Sequence, residues 1–360
     1  MAYTTIDDPS KYFQIATWTG SASTDTITFG GNSDLQLDLL WSKCRSNGHS
    51  HALMDTSRVT SGDYLPLFAD TTDVEQTTYD SELQSILSDG FTVGTQPHAG
   101  GDGKTYVGYG WKANGGSTTT NDASATSVGT IDSVYQANTT AGFSIVTYSG
   151  SGSAGTIAHG LGVTPNWVMI KNRGSSTRGW IVYHDKSHGT PEENFTLLNT
   201  NAAVADLDRM NDTAPTSTVF SVSDDTHVNN GSDTYVAYCF ANVQGYSKFG
   251  SYKGNNNANG PFVYTGFKPA WLLIKNVSSA GNSWVLLDNK RQGFNVENDF
   301  LFPNSDAAES VNLSNHGFDF LSNGFKNRGT GQNDDGDTFV YMAFAEHPFV
   351  SSKGVPATAR

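Results

Sequence analysis

Three times along the chain an apolar run closes on a lysine: DLLWSK at Lys43, NWVMIK at Lys171 and AWLLIK at Lys275. Each run is followed by a polar, Gly/Ser-rich stretch and a second apolar run, HALMD from His51, GWIVYHD from Gly179 and SWVLLD from Ser283. Two such runs joined by a polar turn predict a hairpin. A Phe-centred segment comes next, GFTVG at Phe91, VFSVS at Phe220 and GFKNR at Phe325, lying 48, 49 and 50 residues after the respective lysines. After a Gly/Asn/Asp turn the chain reaches TYVGYGW from Thr105, TYVAYCF from Thr234 and TFVYMAF from Thr338, which are 14, 14 and 13 residues past the Phe. Variation of a residue or so between copies therefore falls in loops, where insertions cost little.

An alternating segment opens each copy: YFQIATW at Tyr12, FSIVTYS at Phe143 and PFVYTGF at Pro261. Alternation of this kind belongs to a strand with one buried face. The repeat predicts an all-β chain of three tandem antiparallel domains, each a β-sandwich or jelly roll. The expected boundaries are residues 1–113 for the first, 142–249 for the second and 250–350 for the third. A polar linker is expected over 114–141, with an added strand at Ile131–Tyr135, and a flexible tail over 351–360. Only QGYSKFGSYKG separates the second copy from the third, which predicts packed neighbours rather than beads on a string. SELQSILSDG, from Ser81, has helix-like spacing, but its counterpart HGFDFLSNG alternates as a strand, so the repeat predicts a strand in both.

Composition agrees with strands and turns: 38 Gly, 12% aromatic residues and only 16% charged ones. A net charge of -14 disfavours phosphate tracking and argues against a nucleic-acid partner. Cys44 and Cys239 fall at unmatched positions of different copies, so free thiols and assembly in a reducing cytoplasm are expected. The N-terminal stretch has no signal-peptide pattern and no apolar run approaches ~18 residues, so neither export by such a signal nor membrane insertion is expected.

With these strings in view, the chain resembles a family of repeat-bearing virion proteins of marine tailed phages, tail fibres or structural proteins. The first copy is similar to its pattern over Lys43 to Asn114, an apolar WSK strand, SDGFTVG and a closing TYVxxxWKAN. The others are similar through GLGVTPNWVMIKNR, TYVAYCFANVQGYSKFGSY and GPFVYTGFKPAWLLIK. The resemblance implies a place on the virion surface after assembly in the host cytoplasm, and other virion proteins as partners. It brings no catalytic or binding residues with it.

Residue types able to carry chemistry have structural explanations here. Trp18 matches Tyr148, Trp111 matches Phe240 and Phe344, Trp167 matches Trp271, Trp180 matches Trp284, and Trp41 lies two residues from the Trp167 position. Repeated positions predict core aromatics rather than a sugar platform. Gly150, Gly152 and Gly155 have dinucleotide-binding spacing, but TIAHGLGVTP follows instead of a helix, so a hairpin turn is expected. Asn333, Asp334, Asp335 and Asp337 offer hard oxygens for calcium, yet they coincide with repeat loops at Gly100 and Asn229 and lack EF-hand spacing. His49 and His51 have no third ligand nearby in sequence. No nucleophile elbow, HExxH or Walker lysine is present, so no enzyme, cofactor or metal is predicted.

The expected function is therefore a tail-fibre or appendage subunit contacting the host surface through a glycan. A capsid decoration protein and a glycan-degrading tailspike are the alternatives. Residues 1–10 have no counterpart in later copies and are the expected virion-docking segment. Exposed aromatic sheet faces, together with analogy to phage appendages, predict a homotrimer. Host contact is expected in loops that differ between copies: His184 to Pro191, Asn255 to Gly260 and Asn327 to Asp337.

Overall fold

A computed structural model describes residues 3–78 and 82–356. The fold is all-β, in antiparallel sheets. In the first repeat the principal sheet runs Phe13–Thr19, Thr105–Trp111, Leu39–Cys44 and Ala52–Asp55 in spatial order, ending in the short strand Leu67–Phe68. The second has the same order in Phe143–Ser149, Thr234–Phe240, Trp167–Asn172 and Ile181–His184. The third has it in Ser247–Lys253, Thr338–Pro348, Phe267–Asn276 and Val285–Asp288. Lys43, Lys171 and Lys275 are each the penultimate residue of the equivalent strand.

A small second layer covers one face of each principal sheet. It consists of Asp25–Ile27, Gly90–Val93 and Leu83–Leu87 in the first repeat. Gly155–Ala158 and Val219–Val222 form it in the second, and Phe262–Tyr264, Gly324–Asn327 and Phe318–Leu321 in the third. Each sandwich encloses its own core, with Leu40, Val168 and Leu272 at equivalent places. The opposite faces of the three principal sheets meet in one inner core, which takes Trp41 and Trp111, Trp167 and Trp180, and Trp271 and Trp284 from the three repeats in turn. This explains the unbroken apolar runs before the lysines. Those strands are buried on both faces, one toward the small layer and one toward the inner core, so they do not alternate.

Several boundaries move. The opening strand of the third repeat is Ser247–Lys253, paired along its length with Thr338–Pro348. A boundary at 249/250 would cut it. PFVYTGF instead supplies Phe262–Tyr264 to the small layer, because Val263 alone of its three residues points inward. Residues 114–141 are more than a linker: Thr119–Asn121 and Ser133–Asn138 widen the second sheet, and a four-residue helix, Ala123–Thr126, lies between them. The added strand thus starts two residues after Ile131. SELQSILSDG forms the strand Leu83–Leu87; its Ser81 lies outside the described residues.

The tail and N-terminal segment are both engaged. Ser352 donates through its backbone N to Asp7 at 2.6 Å, and Ser351 N bonds Val355 O at 2.8 Å, so residues 351–356 form a held turn rather than a loose tail. Residues 357–360 lie outside the described residues. Ile6 is buried in the inner core, Thr4 Oγ1 donates to Gln244 O at 2.7 Å, and Tyr3 OH donates to Gly266 O at 2.8 Å. Residues 3–8 therefore fasten the first repeat to the third; residues 1 and 2 of the expected docking segment are outside the description. The aromatic faces that suggested a homotrimer are consumed inside one chain, which is itself a ring of three sheets.

Candidate functional site

The ring has three seams, built on one plan. After the strand Ala52–Asp55, Ile181–His184 or Val285–Asp288, each repeat sends a segment across to the central hairpin of the next. Glu75 N bonds Arg173 O at 2.9 Å, Val204 N bonds Val277 O at 3.1 Å, and Glu309 N bonds Arg45 O at 2.9 Å. Trp180 Nε1 donates to Phe68 O at 2.7 Å and Trp284 Nε1 to Leu197 O at 2.9 Å. The buried lysines add to this. Lys171 Nζ donates to Thr72 O across its seam and to Arg178 O, and Lys43 Nζ to Asp306 O across its own and to His49 O. Lys275 Nζ bonds Asn282 O within its own hairpin. Burial brings all three ammonium groups down to about 8.

Two seams are closed by an ion cluster. At the first, Arg58 lies fully buried, its Nε 2.7 Å from Asp55 Oδ2 and its Nη1 2.6 Å from Glu75 Oε1. From the second repeat, Tyr238 OH donates to Asp55 Oδ2 at 2.6 Å and Arg173 Nη2 meets Glu75 Oε2 at 2.7 Å. The seam between the third and first repeats reproduces this. Arg291 Nε is 2.6 Å from Asp288 Oδ2, Arg291 also pairs with Glu309, Tyr109 OH donates to Asp288 at 2.8 Å, and Arg45 holds Glu309 at 2.8 Å. Burial pushes the Asp288 carboxyl up, but the Arg291 charge and hydrogen bonds outweigh it and leave the group below its ordinary range.

The middle seam, between the second and third repeats, lacks every member of the cluster. Register places His184 where the others have Asp55 and Asp288, and Met342 where they have Tyr238 and Tyr109. Counting along the chain, Ser187 stands for the arginine, Val204 for the glutamate and Val277 for the outer arginine. His184 is neutral: burial lowers its pKa, its Nε2 lies 3.1 Å from Tyr341 O as donor, and its Nδ1 accepts from Lys186 N at 3.0 Å. It still caps its loop, as Asp288 Oδ1 does by accepting Lys290 N, but holds no guanidinium.

A cleft of about 440 Å³ opens at this seam, lined by Lys186, Ser187 and His188 on one side and Val277, Ser278 and Thr338 on the other, with Val204 beside them. The Ser187 hydroxyl is buried and has no hydrogen-bond partner among the described residues. Hydroxyls, an ammonium and an imidazole over a valine patch are the groups that hold a polyhydroxylated ligand: a few directional partners over an apolar surface. Of the three loops expected to contact a host, His184 to Pro191 forms one wall, and the opposite wall includes Thr338, one residue after Asn327 to Asp337. Asn255 to Gly260 packs elsewhere against Asn333, whose amide donates to Asn257 O at 2.8 Å and Gly329 O at 3.1 Å.

The other sequence candidates have structural roles. Six of the seven tryptophans lie in the inner core, and Trp18 stacks on Tyr106 at 5.5 Å, as Tyr148 does on Tyr235 at 5.0 Å. Gly150 and Gly155 flank a turn between the two layers of the second sandwich. It is not a hairpin, because Phe143–Ser149 and Gly155–Ala158 pair with different strands. Asp337 accepts from Asn276 Nδ2 at 2.8 Å, as Asp233 does from Asn172 at 2.9 Å, so this carboxylate braces a repeat loop. Asp334 and Asp335 share that loop. His51 Nδ1 accepts from Trp41 Nε1 at 3.0 Å inside the core, while His49 packs edge-on against His98. No group of three His, Cys, Asp or Glu is placed to hold a metal ion among the described residues. Both cysteines are free and buried. No helix among the described residues is long and apolar enough to cross a membrane.

Sequence reasoning missed the seam clusters, although a signal was there. HALMD and SWVLLD both continue to D-x-x-R, at Asp55 to Arg58 and Asp288 to Arg291, and YHDKS breaks the pattern. Neither a curated protein nor a solved structure matches the chain. A family described as a domain of unknown function (DUF7483) matches residues 8–348, from the N-terminal fastening through the last strand of the third sheet. The unit that defines the family is therefore the whole ring of three repeats, and the chain belongs to that family.

Proposed function

We propose that the protein is a surface component of a tailed-phage virion, a tail-fibre or appendage subunit that contacts a host-surface glycan through the cleft of the middle seam. The observation behind this reading is the divergence of that seam. Two seams carry the same buried ion cluster, and the third replaces it with an open cleft lined by a loop peculiar to the second repeat. The likeness of the repeat strings to virion proteins supports the location, and a net charge of -14 suits an exposed particle protein. Contacts in such a cleft are polar and individually weak, so attachment relies on many copies per particle, where avidity exceeds single-site affinity by ~100-fold or more.

The test is antibody labelling of purified virions in the electron microscope, with antigen-binding fragments of the same antibody added during adsorption. Label on the tail and blocked adsorption are expected. Label on the head with normal adsorption would favour capsid decoration, and unlabelled particles would remove the virion reading altogether. Self-association as a homotrimer stays within the proposal by analogy with phage appendages. The mass of the purified chain at micromolar concentration checks it, a stable monomer being the result that refutes it.

A further inference from the structure

The third principal sheet is longer than the other two at one end. Its central strand, Phe267–Asn276, and its closing strand, Thr338–Pro348, run past their counterparts, and the pairing between them shifts register on either side of Pro269. Bulges of this kind re-aim side chains and recur beside functional sites. Here the extension forms one wall of a pocket of about 160 Å³, with Ala270, Ala345, Glu346 and His347, and the start of the first repeat forms the other.

The polar walls are held before any ligand arrives. Gln14 spends its amide on Ser10 O, Ser33 O and Gly31 N, at 2.9, 2.6 and 2.8 Å. Asp8 accepts from Ser10 N at 3.1 Å, Ser10 Oγ at 2.5 Å and Ser33 Oγ at 2.6 Å. Glu346 is paired with Lys268 across the bulged extension. Asn289, also in the lining, has a buried Oδ1 that accepts no hydrogen bond among the described residues. Walls fixed by their own bonds lower the ordering cost of binding.

We infer that this pocket binds a neutral, polyhydroxylated ring of single-hexose size. Of the two carboxylates in the lining, Glu346 is paired with Lys268 from outside it and Asp8 is matched by Lys290 within it, with His347 as the remaining titratable neighbour, so the site selects neither anion nor cation. Asn289 and the carboxylates accept from hydroxyls, Lys290 donates, and Phe13, Ile15 and the two alanines face the C–H surface of the ring. A pocket of about 160 Å³ suits a ligand of about one sugar ring. The inference stands apart from the virion reading, since it concerns another seam and a ligand of defined size.

Gly30 supplies the test. It lines the pocket at an exposed position, and a Cβ built on it meets nothing within 4 Å, so a large side chain is tolerated at this edge of the pocket and can cover it. The full chain is titrated separately with glucose, galactose, mannose and N-acetylglucosamine, and with glucosamine and glucuronate as charged comparisons, by calorimetry and saturation-transfer NMR. At least one neutral sugar is expected to bind with a dissociation constant of about a few millimolar, the range set by ligand efficiency for about twelve heavy atoms. Gly30→Trp, at an unchanged melting temperature, should weaken it by about tenfold or more, as should Asn289→Ala. The inference is overturned if no neutral sugar binds at about 50 mM, if a charged analogue binds as tightly as its neutral parent, or if Asn289→Ala binds normally. Should Gly30→Trp fail to fold, Asn289→Ala decides.

Discussion

Replacing Arg58 or Arg291 by alanine is expected to cost about 3–5 kcal/mol of folding stability, because each leaves buried carboxylates without the charge that justified burying them. Arg58 also donates to Leu65 O at 2.9 Å and Leu53 O at 3.0 Å, so two buried carbonyls lose partners as well. Ser187, at the corresponding position of the middle seam, has a hydroxyl with no partner among the described residues, and Ser187→Ala should change stability by less than about 1 kcal/mol. The difference is also pH-dependent, with a definite sign. The Asp288 carboxyl is held below its ordinary value in the wild-type protein, so its stabilisation is present above the unfolded pKa of about 3.9 and is lost as pH falls through the folded one. Without Arg291, burial dominates and the carboxyl takes up a proton at higher pH. The deficit of Arg291→Ala should therefore be largest near neutrality and shrink toward pH ~4. Urea denaturation of both arginine variants over that pH range is the check. Loss of less than about 1 kcal/mol at neutral pH would mean the clusters do not hold the seams.

How much of this was legible follows from what repeats record. Strand identity and order could be read because each strand recurs at a fixed distance from its lysine, and the same comparison made the tryptophans core residues, which six of them are. The opening strand of the third repeat was misplaced because SKFGSYK carries two lysines and lacks the aromatic start of YFQIATW and FSIVTYS. Only pairing with Thr338–Pro348 reveals it. The strand Ser133–Asn138 was only partly visible because it has no counterpart elsewhere and its burial follows no simple alternation. The cleft depends on five diverged positions, His184, Ser187, Val204, Val277 and Met342, that meet only when the ring closes, so spacing alone could not assemble it. A comparison of what each repeat places at Asp55, Arg58 and Glu75 would have shown that one seam differs, though not that a cleft opens there.

A single repeat is expected not to fold by itself. The second, cut out as residues 117–246 so that it retains Thr119–Asn121 and Ser133–Asn138, would keep its own sandwich core but expose the face that now lies in the inner core, including Trp167, Met169, Trp180, Tyr238 and Phe240. At roughly 1.5–3 kcal/mol for each buried side chain, these five account for about 8–15 kcal/mol. That is as large as the whole stability of a typical domain, about 5–15 kcal/mol. The fragment would also lose the backbone bonds that Arg173 and Val204 make to neighbouring repeats. It should be recovered as aggregate, or as a loose species that binds hydrophobic dye and gives no dispersed NMR spectrum. The complementary result is expected when the intact chain is nicked at the exposed Asn114–Gly116 turn. The two pieces should stay together through size exclusion without denaturant, because Arg58, Glu75 and Phe68 on one side remain bonded to Tyr238, Arg173 and Trp180 on the other. A monodisperse, cooperatively unfolding fragment 117–246, or clean separation of the nicked pieces, would mean that the repeats are independent domains and that the inner core contributes little.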